Sequence, residues 1–156
     1  MQEAIEKAST LIEALEWIRR FRDKITVIKL GGSVMGDETA LRHVLIDIVF
    51  METVGMRPVV VHGGGKEISR NLGNSGIDSQ WVNGLRKTDK ASMQVVEDTL
   101  FGEVNRRIVD GLEMLDGRAR GMSAKDAGVM YVKQHFATVE EDNGETKKVD
   151  IGYVGD

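Results

Sequence analysis

Residues 59–76 read VVVHGGGKEISRNLGNSG: three β-branched residues, a histidine, three consecutive glycines and then a helical pattern. The apolar run reads as a buried strand and KEISRNLGNSG as a short helix that Gly73 or Gly76 can end, so the glycines sit where a strand hands over to a helix. Working outward, ITVIKL (25–30) is another short apolar run, and it too ends in glycine, at Gly31 and Gly32. Between the two runs, Leu41, Val44, Leu45, Ile48 and Val49 recur at helical spacing, with Asp37 as N-cap and Gly55 as C-terminal stop. The order β-α-β-α predicts an α/β fold: three αβα layers around a mainly parallel central sheet. Further along, Val96, Leu100, Val104, Ile108 and Leu112 predict a helix from about Asp89 to Leu115, in which Gly102 marks close packing. Strands are expected at RARGM (118–122) and VMYVKQ (129–134), and Asn143-Gly144 predicts a β-hairpin within FATVEEDNGETKKVDIGYV (136–154).

Composition narrows the function classes. With 156 residues, 41% of them hydrophobic, the chain fits one domain with a real core. A formal net charge of -4 with scattered charges gives no field for holding nucleic acid. The absence of cysteine excludes disulfides and thiolate metal sites, which fits a reducing cytoplasm. His43, His62 and His135 lack metal-ligand spacing, so no protein-held metal is expected. The N-terminal stretch is too charged for a signal peptide, and no apolar run approaches the ~20 residues of a membrane span. The expectation is a soluble, cytoplasmic protein.

The glycines carry the functional argument. In an open α/β sheet, ligands sit beyond the carboxyl ends of the parallel strands, where both Gly31-Gly32 and Gly63-Gly64-Gly65 are expected. Backbone N–H groups bare of side chains, together with a helix N-terminus, suit a phosphate or carboxylate. Glycine can equally serve only a tight turn, but two clusters at matching places favour an anion site. The spacing is neither that of a P-loop nor that of a dinucleotide fingerprint. Lys29, at the end of its strand and beside a glycine loop, either snorkels at a sheet edge or meets negative charge, and the loops favour the second. His62 is expected to fix the loop by a hydrogen bond, and Asp126 to cap a loop rather than bind Mg²⁺.

Taken in order, IKLGGSVM (28–35), VVVHGGGKEI (59–68), NGLRKTD (83–89), EDTLFGEVNRRIV (97–109) and GMSAKD (121–126) resemble the N-terminal half of the acetylglutamate kinases, within the amino acid kinase superfamily. Ala124 stands where relatives often have glycine. The resemblance runs from about Ile25 to the last residue. It implies an N-terminal, substrate-binding lobe over 25–156 and ATP-dependent phosphorylation of the γ-carboxylate of N-acetyl-L-glutamate, a step of arginine biosynthesis. By position, Lys29 is similar to the lysine that stabilises the phosphoryl group in flight. Gly64 and Gly65 are similar to the backbone donors to substrate, Gly31, Gly32 and Gly63 to the rest of the phosphate loops, and Arg86 to the arginine that holds a substrate carboxylate. The nucleotide-binding lobe, which would hold most of ATP and Mg²⁺, has no counterpart here; the chain is read as a fragment or a truncated relative, with little activity expected of it alone. Residues 1–24 resemble an N-terminal helix that joins dimers into a hexameric ring in arginine-inhibited members, so a homo-oligomer is implied. Folding back onto its own domain is the alternative use of that apolar stripe. PII-type signal proteins bind some members of the family, and no residue here bears on that. Two other readings stay open: a superfamily relative acting on a related or carrier-bound substrate such as aminoadipate, and a non-catalytic subunit that binds acylamino acids.

Overall fold

The computed structural model describes residues 1–128, 130–140 and 144–155. The chain forms two compact units, Met1–Gly63 with Ile108–Ala119, and Gly64–Arg107 with Arg120–Asp156.

The first unit opens with helix α1 (Gln2–Phe21), which buries none of its residues; Leu11 and Ile12 are 73% and 72% exposed. Strand β1 (Ile25–Leu30) leads through Gly31 into a single helical turn, α2 (Gly32–Met35). Helix α3 (Glu38–Thr53) starts where the sequence predicts, because the Asp37 carboxylate accepts from the backbone N–H groups of Thr39 (2.9 Å) and Ala40 (3.0 Å). Gly55, at φ +90°, takes the left-handed turn that ends it. Strand β2 (Arg57–His62) pairs parallel to β1, with Lys29 opposite Val61 and Leu30 opposite His62. Alternation puts Ile25, Val27, Lys29, Val59 and Val61 on the more exposed positions of the two strands. The core of this unit is Leu30, Met35, Leu41, Leu45, Ile48, Ile108 and Leu112. Gly111 packs tightly into it, since a Cβ there would lie 2.6 Å from Leu45 Cδ1.

In the second unit, helix α4 (Gly65–Asn74) follows the glycine run, and Gly76, at φ +70°, turns the chain after it. A short hairpin, β3 (Gln80–Val82) and β4 (Leu85–Lys87), turns through Asn83 and Gly84, both at positive φ. The predicted long helix is one helical stretch in three parts: α5 (Lys90–Glu97), capped by Asp89 onto the Ser92 N–H at 2.7 Å, a π-helical segment Asp98–Asn105, and α6 (Arg106–Glu113), which from Ile108 on belongs to the first unit. The π segment explains why a stripe at strict four-residue steps works. Four residues overshoot an α-turn of 3.6 and so drift round the helix, whereas the wider i→i+5 turns bring the stripe back. Gly102 lies in this segment, but no described atom comes within 4 Å of where its Cβ would be, so the close packing expected of it is not found.

The expected strand at 118–122 is not formed; those residues are irregular. Residues 130–133 of the second expected strand are also irregular, and Val129 lies outside the described residues. The strand begins instead at Gln134: β5 (Gln134–Glu140) pairs antiparallel with β6 (Thr146–Gly155). That is the predicted hairpin; Gly144 has φ +80°, and Asn143 lies outside the described residues. β4 continues onto β6 at Thr88, whose N–H donates to Ile151 O (2.9 Å) and whose carbonyl accepts from Tyr153 N–H (2.7 Å). Leu72, Val104, Ala137 and Ile151 form the apolar core here. The fold is thus α/β, with a parallel strand pair and further antiparallel hairpins. Among the described residues no helix is long and apolar enough to cross a membrane.

Candidate functional site

In the first unit, parallel pairing brings the ends of β1 and β2 side by side. Gly63 N–H reaches Leu30 O at 3.4 Å, so Gly31 and Gly63 leave neighbouring strands at the same end, with Lys29 exposed on the penultimate position of β1. His62 behaves as expected, its half-buried ring donating from Nδ1 to Gly63 O at 3.1 Å.

The glycines divide by what surrounds them. A Cβ on Gly64 would lie 2.8 Å from Leu100 Cδ2 and 3.3 Å from Val104 Cγ2, so packing against the π segment already demands glycine there. At Gly31, Gly32, Gly63 and Gly65 no described atom lies within 4 Å of that position. None of these four has positive φ either. Among the described residues, neither a close neighbour nor a positive φ accounts for the missing side chains.

The second unit gathers Gly65, Arg86 and three residues that the sequence did not single out. The Arg86 Nη2 donates to Ser69 Oγ at 2.8 Å, its Nη1 donates to Ser79 Oγ, and the guanidinium carbon lies 4.4 Å from the Trp81 ring centroid. Ser69 Oγ also donates to Gly65 O at 2.9 Å. A signal for Ser69 existed: four residues after Gly65 on a helix is the same face, one turn on. Behind this group, Asn71 Nδ2 donates to Thr99 Oγ1 and to Glu103 Oε2, both at 2.9 Å, and Arg70 pairs with Glu103. The Asn71 hydrogen bond, followed by that from Arg70, holds the Glu103 carboxyl below the ordinary glutamate range. This network ties α4 to the π segment. Asp126 is a loop cap, accepting from Ser123 N–H at 2.6 Å. A separate cavity of about 620 Å³ is lined by Met93, Val132, Gln134, Asp150 and Tyr153, none of them a sequence candidate. Asp150 Oδ1 there already accepts from Gln134 Nε2 (3.0 Å) and Gly152 N–H (2.8 Å).

Residues 24–154 match the model of the amino acid kinase family. The chain belongs to that family. Curated relatives named acetylglutamate kinase, from Geobacter sulfurreducens and Heliobacterium modesticaldum, are 46% and 43% identical to it over all 156 residues. The chain spans about half the length, 53%, of each. Among solved structures, smu.665 from Streptococcus mutans UA159 superposes with a TM-score of 0.61 at 27% identity, covering 86% of this chain and 49% of that one. An N-acetylglutamate synthase from Neisseria gonorrhoeae, complexed with coenzyme A and N-acetyl-glutamate, gives 0.58 at 20% identity, over 95% of this chain and 31% of the other; that likeness concerns the fold alone. Within the amino acid kinase family match lie every glycine of the two clusters, Lys29 and Arg86.

Proposed function

We propose that these residues form the acetylglutamate-binding half of an acetylglutamate kinase, which phosphorylates the γ-carboxylate of N-acetyl-L-glutamate with ATP in the cytoplasm. The observation that carries this reading is the set of glycines, Gly31, Gly32, Gly63 and Gly65, whose missing side chains neither a close described neighbour nor a positive φ explains. A substrate or phosphoryl oxygen approaching the backbone would explain them. The relatives' shared name supplies the substrate class.

The chemistry suits the residues. Phosphoryl transfer needs alignment and neutralisation of charge spread over the transferred oxygens. In this reading Lys29 supplies the positive charge, the loop amides of the two glycine clusters supply hydrogen bonds, and Arg86 supplies a planar fork for a substrate carboxylate. A carboxylate nucleophile is already ionised at neutral pH, so no general base is required. In this reading Mg²⁺ enters with ATP. Nucleotide binding draws on the portion of the relatives that lies outside the match. The exposed stripe of α1 joins copies of the protein into a homo-oligomer, and light scattering before and after deletion of residues 1–22 should register a fall in mass.

The deciding experiment traps acetylglutamyl phosphate with hydroxylamine, using protein expressed from the full reading frame. Hydroxamate should form with ATP, Mg²⁺ and acetylglutamate, and Lys29→Ala should cut kcat strongly while KM for acetylglutamate moves little. No hydroxamate from folded protein, or preference for another phosphoryl acceptor in a substrate panel, would refute the assignment.

A further inference from the structure

Arg86 is engaged on three sides by residues of its own unit, by Ser69, Ser79 and the Trp81 ring. Ser69 differs from the other two because it passes the contact on. A hydroxyl has one proton and two lone pairs. The Ser69 proton goes to Gly65 O at 2.9 Å, which leaves the oxygen to accept from Arg86 Nη2 at 2.8 Å. Donor and acceptor roles are therefore fixed, and one side chain joins the guanidinium to the first residue of α4, beside the glycine run. Ser79 and the Trp81 face hold the other side, and the guanidinium keeps further N–H groups for a carboxylate. An exposed arginine side chain samples many rotamers, and fixing them in advance lowers what binding must spend on ordering.

We propose that Ser69 is a positioning residue: by tying Arg86 to the Gly65 carbonyl, it sets the angle of the guanidinium for the substrate carboxylate. This rests on the assignment of Arg86 to substrate binding made above.

Two readouts on this chain test it together. The first is the NMR signal of the Arg86 Nη–H groups, identified by its loss in Arg86→Lys; restricted rotation keeps these protons apart. Ser69→Ala should merge the Nη2 pair, whose bond is lost, while Nη1 stays held by Ser79, and Ser69→Thr, which retains the hydroxyl, should not. The second is calorimetric titration with N-acetyl-L-glutamate. Ser69→Ala should weaken binding roughly twofold to tenfold, the range of one hydrogen bond. Ser69→Thr should restore it, and in an Arg86→Lys background Ser69→Ala should have less than about a twofold effect, because coupled residues are not additive. Unchanged Arg86 signals in Ser69→Ala overturn the proposal, as does an equal loss of affinity with and without Arg86. A wild-type chain that binds no acetylglutamate removes the substrate assignment instead, and the Arg86 signals still decide whether Ser69 orders the guanidinium.

Discussion

Replacing Gly152 by alanine should be among the most damaging single-methyl changes in the second unit. A Cβ there would lie 2.1 Å from Thr88 O and 2.8 Å from Thr88 C, both backbone atoms that cannot rotate aside. Gly152 also has φ +78°, a conformation that costs an L-residue roughly 1–2 kcal/mol. Relieving the overlap means separating β6 from Thr88, which sacrifices the bonds Thr88 N–H to Ile151 O and Tyr153 N–H to Thr88 O, about 0.5–1.5 kcal/mol each. The reduced freedom of the unfolded chain returns only about 0.4–1 kcal/mol. The net loss should be about 3 kcal/mol, a large share of a typical domain's stability of roughly 5–15 kcal/mol. Urea unfolding followed by circular dichroism measures it, and amide exchange at Thr88 and Tyr153 localises it. Arg86 lies two residues before Thr88, whose hydroxyl donates to Arg86 O at 3.0 Å, so acetylglutamate affinity should fall as well. Stability within about 0.5 kcal/mol of wild type, with both amides still protected, would show that the strand contact is not the constraint described here.

Gly31→Ala gives the opposite pattern: no described atom is near its Cβ position, so unfolding should shift by less than about 0.5 kcal/mol while hydroxamate formation drops at least about tenfold. Calorimetry on Arg86→Lys should show acetylglutamate binding weakened by about 1.5–3 kcal/mol, one charge-assisted fork being lost, with the fold intact by circular dichroism. Glu103 has a depressed carboxyl pKa in the fold, so its contribution is present above the unfolded value and disappears as pH falls through the folded one. Acid unfolding should therefore be less steep in Glu103→Gln below the ordinary glutamate range; because the side chain is 42% exposed, the change in midpoint should be small.

How much of this could be read from the chain differs by type of signal. Asp37 and Gly55 mark the limits of α3 as placed, since capping is local chemistry that neighbours in sequence decide. The antiparallel partners flanking Gly144 are likewise local. RARGM fails as a strand because a short stretch with apolar members needs a partner strand, and partners are set by tertiary structure that no window of residues contains. The π segment is invisible for a related reason: Asn71, Thr99, Glu103, Leu100 and Val104 meet across α4 and the π segment, and their spacing alone reads as α-helix. At the candidate site, residue types singled out Lys29 and the glycines, and the family resemblance singled out Arg86. They did not separate Gly64, which packing requires, from Gly31, Gly32, Gly63 and Gly65, which packing does not. Ser69 was missed because its one signal in the sequence, a place one helical turn after Gly65, does not reveal the bond to Arg86 that gives it meaning.

The contact between Arg86 and Trp81 gives the protein an optical gauge. The chain has two tryptophans, and the other, Trp17, stacks on Phe21 and lies under Arg20 at 5.5 Å in α1. With Trp17 replaced by phenylalanine, every photon emitted from tryptophan would come from beneath the Arg86 guanidinium. The ring's emission responds to a cation held 4.4 Å from its centre. Any ligand that draws the guanidinium away from the ring would therefore announce itself as a change in colour or brightness, so binding could be followed in real time without a label.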